Sequence, residues 1–249
     1  MCFSKDVWKT DNTRKKARAM RCVGRMKDPK LLTDVVLSAP LWHAKMCAIH
    51  TLRSVSEGRL RLDEPDALRA LLGLDISFGE MNSADLQAYQ WYVDGLLNCL
   101  PDEHKLAEVA LKARSGSVRR RAFDWIHGEI GLMDIIGSPD ADEETRMQAV
   151  RRINRNSSLL KDIAGNGALP EKIREAAAGL AARYEEEARR EAEKQALKEK
   201  QAQCSRRGHR MSVVRYKAHG NGGTDAVYRC ELCGAEEVWP YEWSSADSV

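Results

Sequence analysis

Four residues in the last part of the chain have the types and spacing needed to bind a metal ion. Cys204 precedes His209 by five positions. Two residues separate Cys230 from Cys233, and Gly234 follows Cys233. The two-residue gap lets both sulfurs reach one metal, and the glycine allows the backbone to fold back on them. Three thiolates and one imidazole form a closed tetrahedral set, which is typical of structural zinc. The spacing therefore predicts a Zn²⁺ site with the ligands Cys204, His209, Cys230 and Cys233.

Other interpretations of these residues remain open. His219 can replace His209 as the nitrogen ligand, although it lies in a predicted hairpin loop. The Cys230 and Cys233 thiols can also be reduced surface groups that hold no metal. A thioredoxin-type redox motif is disfavoured because no βαβ pattern surrounds the pair. If the metal is present, four protein ligands leave no open position, which favours structural over catalytic zinc.

The segments around these ligands predict a small β-rich module at 204–249. Met211–Lys217 has strand character, Gly220–Gly223 predicts a turn, and short strands lead into and out of the Cys230–Cys233 pair. Roughly 45 residues cannot bury enough apolar surface to fold alone without a staple. The module resembles the zinc-ribbon family, and the resemblance implies that the metal holds the fold together.

A charged run precedes the module. Residues 185–203 consist almost entirely of Glu, Ala, Lys, Gln and Arg, which are strong helix formers. Glu185–Arg189 and Glu186–Arg190 are i,i+4 pairs that support a helix. Leu197 is the only large apolar side chain of the run, so it has no coiled-coil seam. The run predicts a solvated helical spacer.

The chain before the spacer is built from recurring pairs of apolar-faced segments. Three of the first segments begin 26 and then 28 residues apart. Apolar residues at i, i+3, i+4 and i+7 predict helices, and clusters of Gly, Ser and Pro separate them. The first segments lie at 31–36, 105–110, 131–136 and 159–164, and the second segments at 15–19, 44–48, 118–122, 145–149 and 173–177.

These units resemble the HEAT-repeat family of α-solenoids, in which hairpins of antiparallel helices stack on one another. The resemblance covers about residues 13–184, with about six repeats, and it implies an all-α solenoid over 1–184. The stretch 57–104 is irregular: residues 66–72 predict a first helix, and Ser83 is expected to cap a longer second helix that ends near Cys99. The expected architecture is a HEAT-like solenoid, a charged helix and a zinc-ribbon-like module.

Charged residues recur at equivalent positions of the units, where stacking would align them in columns. We expect the basic column of the second helices to pair with an acidic column of the first helices and so hold the repeats in register. The basic column is Lys16, Lys45, Arg119, Arg146 and Arg174, and the acidic column is Asp34, Glu108, Asp134 and Asp162. The alternative is that the basic column, with neighbours such as Arg120, engages a protein partner or phosphates.

Composition and missing motifs disfavour several classes of protein. The net charge is only +3, and no apolar run approaches the ~20 residues that span a bilayer. Seven cysteines without a leader favour a reducing compartment, so we expect a cytoplasmic protein in which Cys22, Cys47 and Cys99 pack as small apolar groups. The sequence has no Gly-rich phosphate loop, nucleophile elbow or His-Glu-x-x-His motif, which disfavours an enzyme with a small-molecule substrate.

The expected function is that of a non-catalytic scaffold that binds a protein partner along the solenoid, with the zinc module as a second contact. Nucleic-acid binding through the basic clusters is the competing hypothesis. A third is base excision, because Asp124 and Trp125 beside Arg119–Arg121 are similar to the acid-plus-aromatic arrangement of HEAT-like DNA glycosylases.

Overall fold

A computed structural model describes residues 20–76, 81–208, 210–218 and 224–240 of the chain. The chain divides into two compact units, Met1–Ala178 and Gly179–Val249. Helices build the described part of the first unit. The second unit contains the continuation of the last helix and a small antiparallel sheet. The prediction of a mostly helical chain with a β-rich carboxyl-terminal part is confirmed.

Nine complete helices and the start of a tenth lie in the part of the first unit that the structure describes, and residues 20–23 are also helical. The complete helices are α1 (Pro29–Ser38), α2 (Trp42–Val55), α3 (Glu64–Gly73), α4 (Ser83–Leu97), α5 (Glu103–Lys112), α6 (Gly116–Trp125), α7 (Glu129–Gly137), α8 (Glu143–Arg152) and α9 (Ser157–Gly165).

These helices pair in the order in which they follow one another. The hairpins α1–α2, α3–α4, α5–α6 and α7–α8 each bring an odd-numbered helix against the next even-numbered one. The odd-numbered helices also contact one another in sequence from α1 to α7, and α2, α4 and α6 do the same. The irregular stretch 57–104 therefore contains a hairpin, α3–α4, that packs like its neighbours. The unit predicted before α1 falls largely on residues 1–19, outside the described residues.

Side-chain caps and buried apolar stripes explain where the helices form. In α5 the carboxylate of Asp102 accepts a hydrogen bond from the N–H of His104 (2.9 Å), while Leu106 and Val109 are buried on one face. Helix α4 begins at Ser83 as expected, but its cap is the preceding residue, Asn82. Asparagine and serine are comparable caps, so side-chain type alone did not separate the two positions.

Glu103 of α5 provides a cap for a different helix, α7. Its carboxylate accepts hydrogen bonds from the N–H groups of Gly128 (2.6 Å) and Gly131 (3.3 Å). These N–H groups have no acceptor within α7, and a negative charge there is favoured by the helix dipole. We expect Glu103→Ala to lower the free energy of unfolding by about 1–3 kcal/mol, because charge-assisted hydrogen bonds are lost and the amides lose their acceptor.

Urea denaturation followed by circular dichroism measures this effect. The matched control is Glu108→Ala in the same helix, since the Glu108 carboxylate lies 3.8 Å from Lys112 on the helix surface. The control should change the free energy of unfolding by less than about 0.5 kcal/mol. Equal losses in the two variants would contradict the capping role of Glu103.

Helix α10 (Glu171–Arg207) is 37 residues long and includes the whole of the predicted spacer. The predicted Glu186–Arg190 pair is present at 2.6 Å. The helix ends before Gly208, whose φ of +85° is the left-handed conformation common after helix ends. No helix of the described residues is both long and apolar enough to cross a membrane. Because α10 ends at Arg207, Cys204 lies in its last turn.

The second unit contains a three-stranded antiparallel sheet in the order β1-β2-β3. Its strands are β1 (Met211–Ala218), β2 (Thr224–Cys230) and β3 (Glu236–Pro240). The register places Met211 opposite Cys230, at the end of the sheet that follows α10. The β1–β2 pairing shifts between Val213 and Arg215, where one residue is left out of the ladder.

Candidate metal centre and binding groove

Three of the four predicted metal ligands come together in the second unit. The Sγ atoms of Cys204, Cys230 and Cys233 all lie within 4.8 Å of one another, and those of Cys204 and Cys230 are 3.3 Å apart. All three residues are buried. Sulfurs around a tetrahedral zinc are about 3.8 Å apart if each Zn–S bond is about 2.3 Å. The cluster is therefore compatible with a metal site.

Backbone hydrogen bonds hold the Cys230–Cys233 turn in the shape that its spacing predicts. The N–H of Cys230 donates to the carbonyl of Ala235 (2.8 Å), and the N–H of Gly234 donates to the carbonyl of Cys230 (2.8 Å). Gly234 has a φ of +71°, which disfavours residues with a side chain. The N–H of Glu231 donates to the carbonyl of Arg210 (3.0 Å) and so ties the turn to the segment between α10 and β1.

The environment of the cluster favours the protonated form of the Cys204 thiol when no metal is bound. The pKa of the Cys204 thiol is raised to about 11, first by its hydrogen bond with the Cys230 thiol, then by burial and by Cys233. Met211 and Ala235 pack against the three cysteines. Metal ligation needs thiolates, so binding of a cation must release protons from this cluster.

The fourth ligand predicted from the sequence, His209, lies outside the described residues, as do the alternative ligand His219 and the first member of the basic column, Lys16. A closed tetrahedral site needs one donor beyond the three sulfurs. The prediction for His209 therefore stays a prediction.

Three described members of the basic column, Lys45, Arg119 and Arg146, contact backbone carbonyls and not the acidic column, contrary to expectation. The guanidinium of Arg119 donates to the carbonyl of Ala113 (2.7 Å), which follows α5, and that of Arg146 donates to the carbonyl of Ser138 (2.7 Å), which follows α7. The ammonium of Lys45 donates to the carbonyl of Asp75 after α3, at 3.3 Å. Ala113 and Ser138 are the C-cap residues of α5 and α7, so Arg119 and Arg146 satisfy carbonyl groups that a helix leaves without partners at its carboxyl end, where the helix dipole favours positive charge.

Two members of the acidic column also depart from the expected pairs, while the pairing expected for Arg174 stays a prediction. The Nε atom of Arg174 is buried and has no hydrogen-bond partner among the described residues. Asp34 instead accepts from Arg69 of α3 at 2.8 Å. Asp134 lies 2.5 Å from the Nδ1 atom of His104 of α5, and this hydrogen bond raises the pKa of the histidine. Asp34 and Asp134 therefore link successive odd-numbered helices, and this role could not be predicted without knowing which helices are neighbours in space.

The even-numbered helices α6 and α8 line an open groove of about 570 Å³. Its charged residues are Arg119, Arg120, Arg151, Arg152, Asp124 and Asp142. The groove brings together two basic clusters that lie about 30 residues apart in the sequence and that the sequence alone could not join.

Two of these arginines are committed to the protein's own backbone. Arg119 contacts the end of α5. Arg152 donates to the carbonyls of Phe123 (2.5 Å) and Ile126 (2.9 Å), and its guanidinium lies over the Phe123 ring at 4.9 Å. Arg120 and Arg151 are exposed and form no ion pair with any residue that the structure describes. They are the cations of the groove that a ligand can reach.

The two carboxylates of the groove differ in their engagement. Asp142 accepts a hydrogen bond from the N–H of Thr145 (2.6 Å) at the start of α8, and this bond, with nearby Arg119 and Arg146, lowers its pKa. Asp124 is exposed in the last turn of α6. The groove therefore presents both signs of charge to a ligand.

The remaining described cysteines are buried or half-buried as expected, but one of them forms a disulfide bond. Cys47 and Cys99 are free and half-buried, as expected for small apolar side chains. Cys22 is buried but disulfide-bonded, which the expectation of reduced cysteines did not include.

The fold and the site define a mostly helical protein of two units, the second of which carries a three-cysteine cluster beside a small sheet. Comparison with protein-family models, curated proteins and solved structures found no match to this chain.

Proposed function

We propose that this chain is a non-catalytic protein-binding scaffold, a HEAT-like α-solenoid that holds an acidic segment of a partner protein in the groove between α6 and α8. The observation that carries the proposal is the exposure of Arg120 and Arg151 in one groove, without an ion-pair partner among the described residues. The alternating contacts of odd-numbered and even-numbered helices support the solenoid interpretation.

A protein segment fits the groove better than a nucleic acid. The carboxylates of Asp124 and Asp142 lie in the same groove and repel a phosphate backbone. Arg119 and Arg152 already donate to backbone carbonyls, so the cations available to phosphates are few. A polypeptide can instead offer carboxylates to Arg120 and Arg151 and a donor to Asp124. The third hypothesis, DNA glycosylase activity, would require the carboxylate of Asp124 to act on a base.

Zn²⁺ is the metal that we propose for the three-cysteine cluster, with His209 as its fourth ligand. Three thiolates select a soft or borderline cation, and a closed Cys₃His set is one of the common structural zinc sites. In this role the metal ties the last turn of α10 to the turn after β2. The zinc module then serves as a second contact for the partner, in the cytoplasm.

A photo-crosslinking amino acid at Gln148, which lines the groove, tests the binding proposal directly. In a lysate of the source organism we expect protein adducts, and we expect Arg120→Glu combined with Arg151→Glu to reduce them about tenfold or more, since two attractive contacts become repulsive. Mass spectrometry of the adducts identifies the partner.

The matched control is Lys198→Glu combined with Lys200→Glu on α10, which changes the net charge equally without touching the groove. It should leave the adducts unchanged. Nucleic-acid adducts that weaken steeply with salt would favour phosphate binding instead. Excision of alkylated bases that is lost in Asp124→Asn would favour the enzyme hypothesis.

A further inference from the structure

One face of the sheet in the second unit exposes aromatic side chains. Residues directly opposite each other in an antiparallel sheet lie on the same face. Ala226 of β2 lies between Tyr216 of β1 and Trp239 of β3, and the next residue of β2 on this face is Tyr228. Tyr216 is 57% exposed and Trp239 is 49% exposed. We call Tyr216, Tyr228 and Trp239 the aromatic face.

Two of the three side chains of the aromatic face pack against each other, and Tyr216 flanks them across Ala226. The ring centroids of Tyr228 and Trp239 are 4.8 Å apart with an interplanar angle of 42°. Ala226, the small residue beneath them, is buried, so the rings close over the strand. A contiguous exposed apolar patch marks an interaction site, whereas apolar side chains scattered singly over a surface need no explanation.

The charges around the aromatic face disfavour nucleic acid as its ligand. Glu237 pairs with Tyr228 and therefore shares the aromatic face, where it repels phosphate. Arg215 and Arg229 lie on the opposite face and both pair with Glu236. Residues 204–249 contain six Lys and Arg and six Asp and Glu, so the segment has no positive field to attract a phosphate backbone.

We propose that the aromatic face binds a proline-rich segment that carries a basic residue. Such a segment adopts a polyproline II helix, whose carbonyls have no internal hydrogen bonds and whose proline rings present C–H groups to aromatic faces. Tyrosine hydroxyl and tryptophan N–H groups can donate to those carbonyls. Glu237 supplies a carboxylate for the basic residue. The aromatic face shares no residue with the groove, so the inference is independent of the acidic partner proposed there.

Fluorescence anisotropy with the full-length protein tests this inference. The probe is a fluorescein-labelled decapeptide of nine prolines and one arginine, and its control replaces alternate prolines with alanine at unchanged length and charge. We expect the proline probe to bind about tenfold or more tightly than the alanine control. An oligothymidine of ten nucleotides should not bind to this face.

Variants locate the binding on the sheet. Trp239→Ala and Tyr216→Ser should each weaken binding of the proline probe about threefold to tenfold, in keeping with the usual strength of aromatic contacts. Glu237→Lys should remove the preference for arginine over glutamate in the probe. Val238→Ser, on the opposite face and 54% exposed, is the control that should change nothing. If Trp239→Ala fails to fold, the other two variants still test the inference. Tyr216 lies at an exposed position of an edge strand, and Glu237→Lys changes the charge of an exposed side chain.

Three results would overturn the inference. The first is equal binding of the proline and alanine peptides. The second is binding of the proline probe that is unaffected by both Tyr216→Ser and Glu237→Lys. The third is tight oligothymidine binding that depends on Trp239, which would assign the face to base stacking.

Discussion

Serine at both Cys230 and Cys233 is expected to abolish zinc binding and unfold the sheet of the second unit. The wild-type chain, purified without chelator, should contain about one zinc per molecule, because the three cysteines form one cluster of metal-ligating sulfurs. Serine keeps the shape of cysteine but supplies no thiolate. The three strands bury few side chains other than the cysteines, Ala226 and Val227, so they lose their main staple with the metal.

Elemental analysis measures the zinc, and amide hydrogen exchange of β1–β3 measures the order of the sheet. The matched control replaces Cys47 and Cys99 with serine, which removes the same number of free thiols outside the cluster. That control should retain about one zinc per chain. A metal-free wild-type protein would contradict the site, and so would zinc retained by the Cys230/Cys233 variant.

His209→Asn tests the fourth ligand separately. If the imidazole binds the metal, the variant should lose zinc to a competing chelator at about tenfold to a hundredfold lower chelator concentration than the wild type, which is on the order of the loss seen when one supporting group of a site is removed. Unchanged retention would assign the fourth position to another donor. His219→Asn is the matched comparison, because it tests the other imidazole that the sequence offers.

Arg152→Ala is expected to destabilise the first unit by about 2–4 kcal/mol. The guanidinium donates to three carbonyls at the end of α6, those of Phe123, Asp124 and Ile126, and covers the Phe123 ring. Its removal therefore leaves acceptors without donors and exposes apolar surface. Arg152→Lys should recover little of the loss, because an ammonium cannot reproduce the fork of donors or the stacking. Urea denaturation gives the change in the free energy of unfolding.

The neighbouring residue supplies the control for this prediction. Arg151→Ala should change the free energy of unfolding by less than about 0.5 kcal/mol, since Arg151 is exposed and has no ion-pair partner among the described residues. The same variant should weaken the proposed partner binding. The two adjacent arginines would thus have different roles, because Arg152 contributes to stability and Arg151 to partner binding. Comparable destabilisation by both would contradict the assignment.

The helices could be predicted because their signals are local. In α1, Leu32, Val35 and Val36 recur at helical spacing, and all three are buried. The turn at Cys230 could also be predicted, because the two-residue gap and Gly234 determine its backbone conformation. Approach of Cys204 to this turn was also expected from ligand type, but the helical conformation of Cys204 was not.

The partners of the arginines could not be predicted, since a sequence shows side chains and does not show which carbonyls lie free at a helix end. Arg119 and Arg120 are adjacent and chemically identical, and both line the groove. About 100° of rotation around α6 nevertheless brings Arg119 to a backbone carbonyl and leaves Arg120 available to a ligand. The aromatic face was hidden for a related reason. Tyr228 and Trp239 lie on different strands, so their contact depends on the register.

The use of backbone carbonyls by Lys45, Arg119, Arg146 and Arg152 also bears on how such a chain can evolve. An ion-pair ladder requires two side chains to be kept together, so a substitution at either position breaks the contact. A carbonyl belongs to every residue, and a cation that binds one places no demand on its partner's side chain. The residues that supply these carbonyls can therefore change in sequence while the helices keep the same attachment.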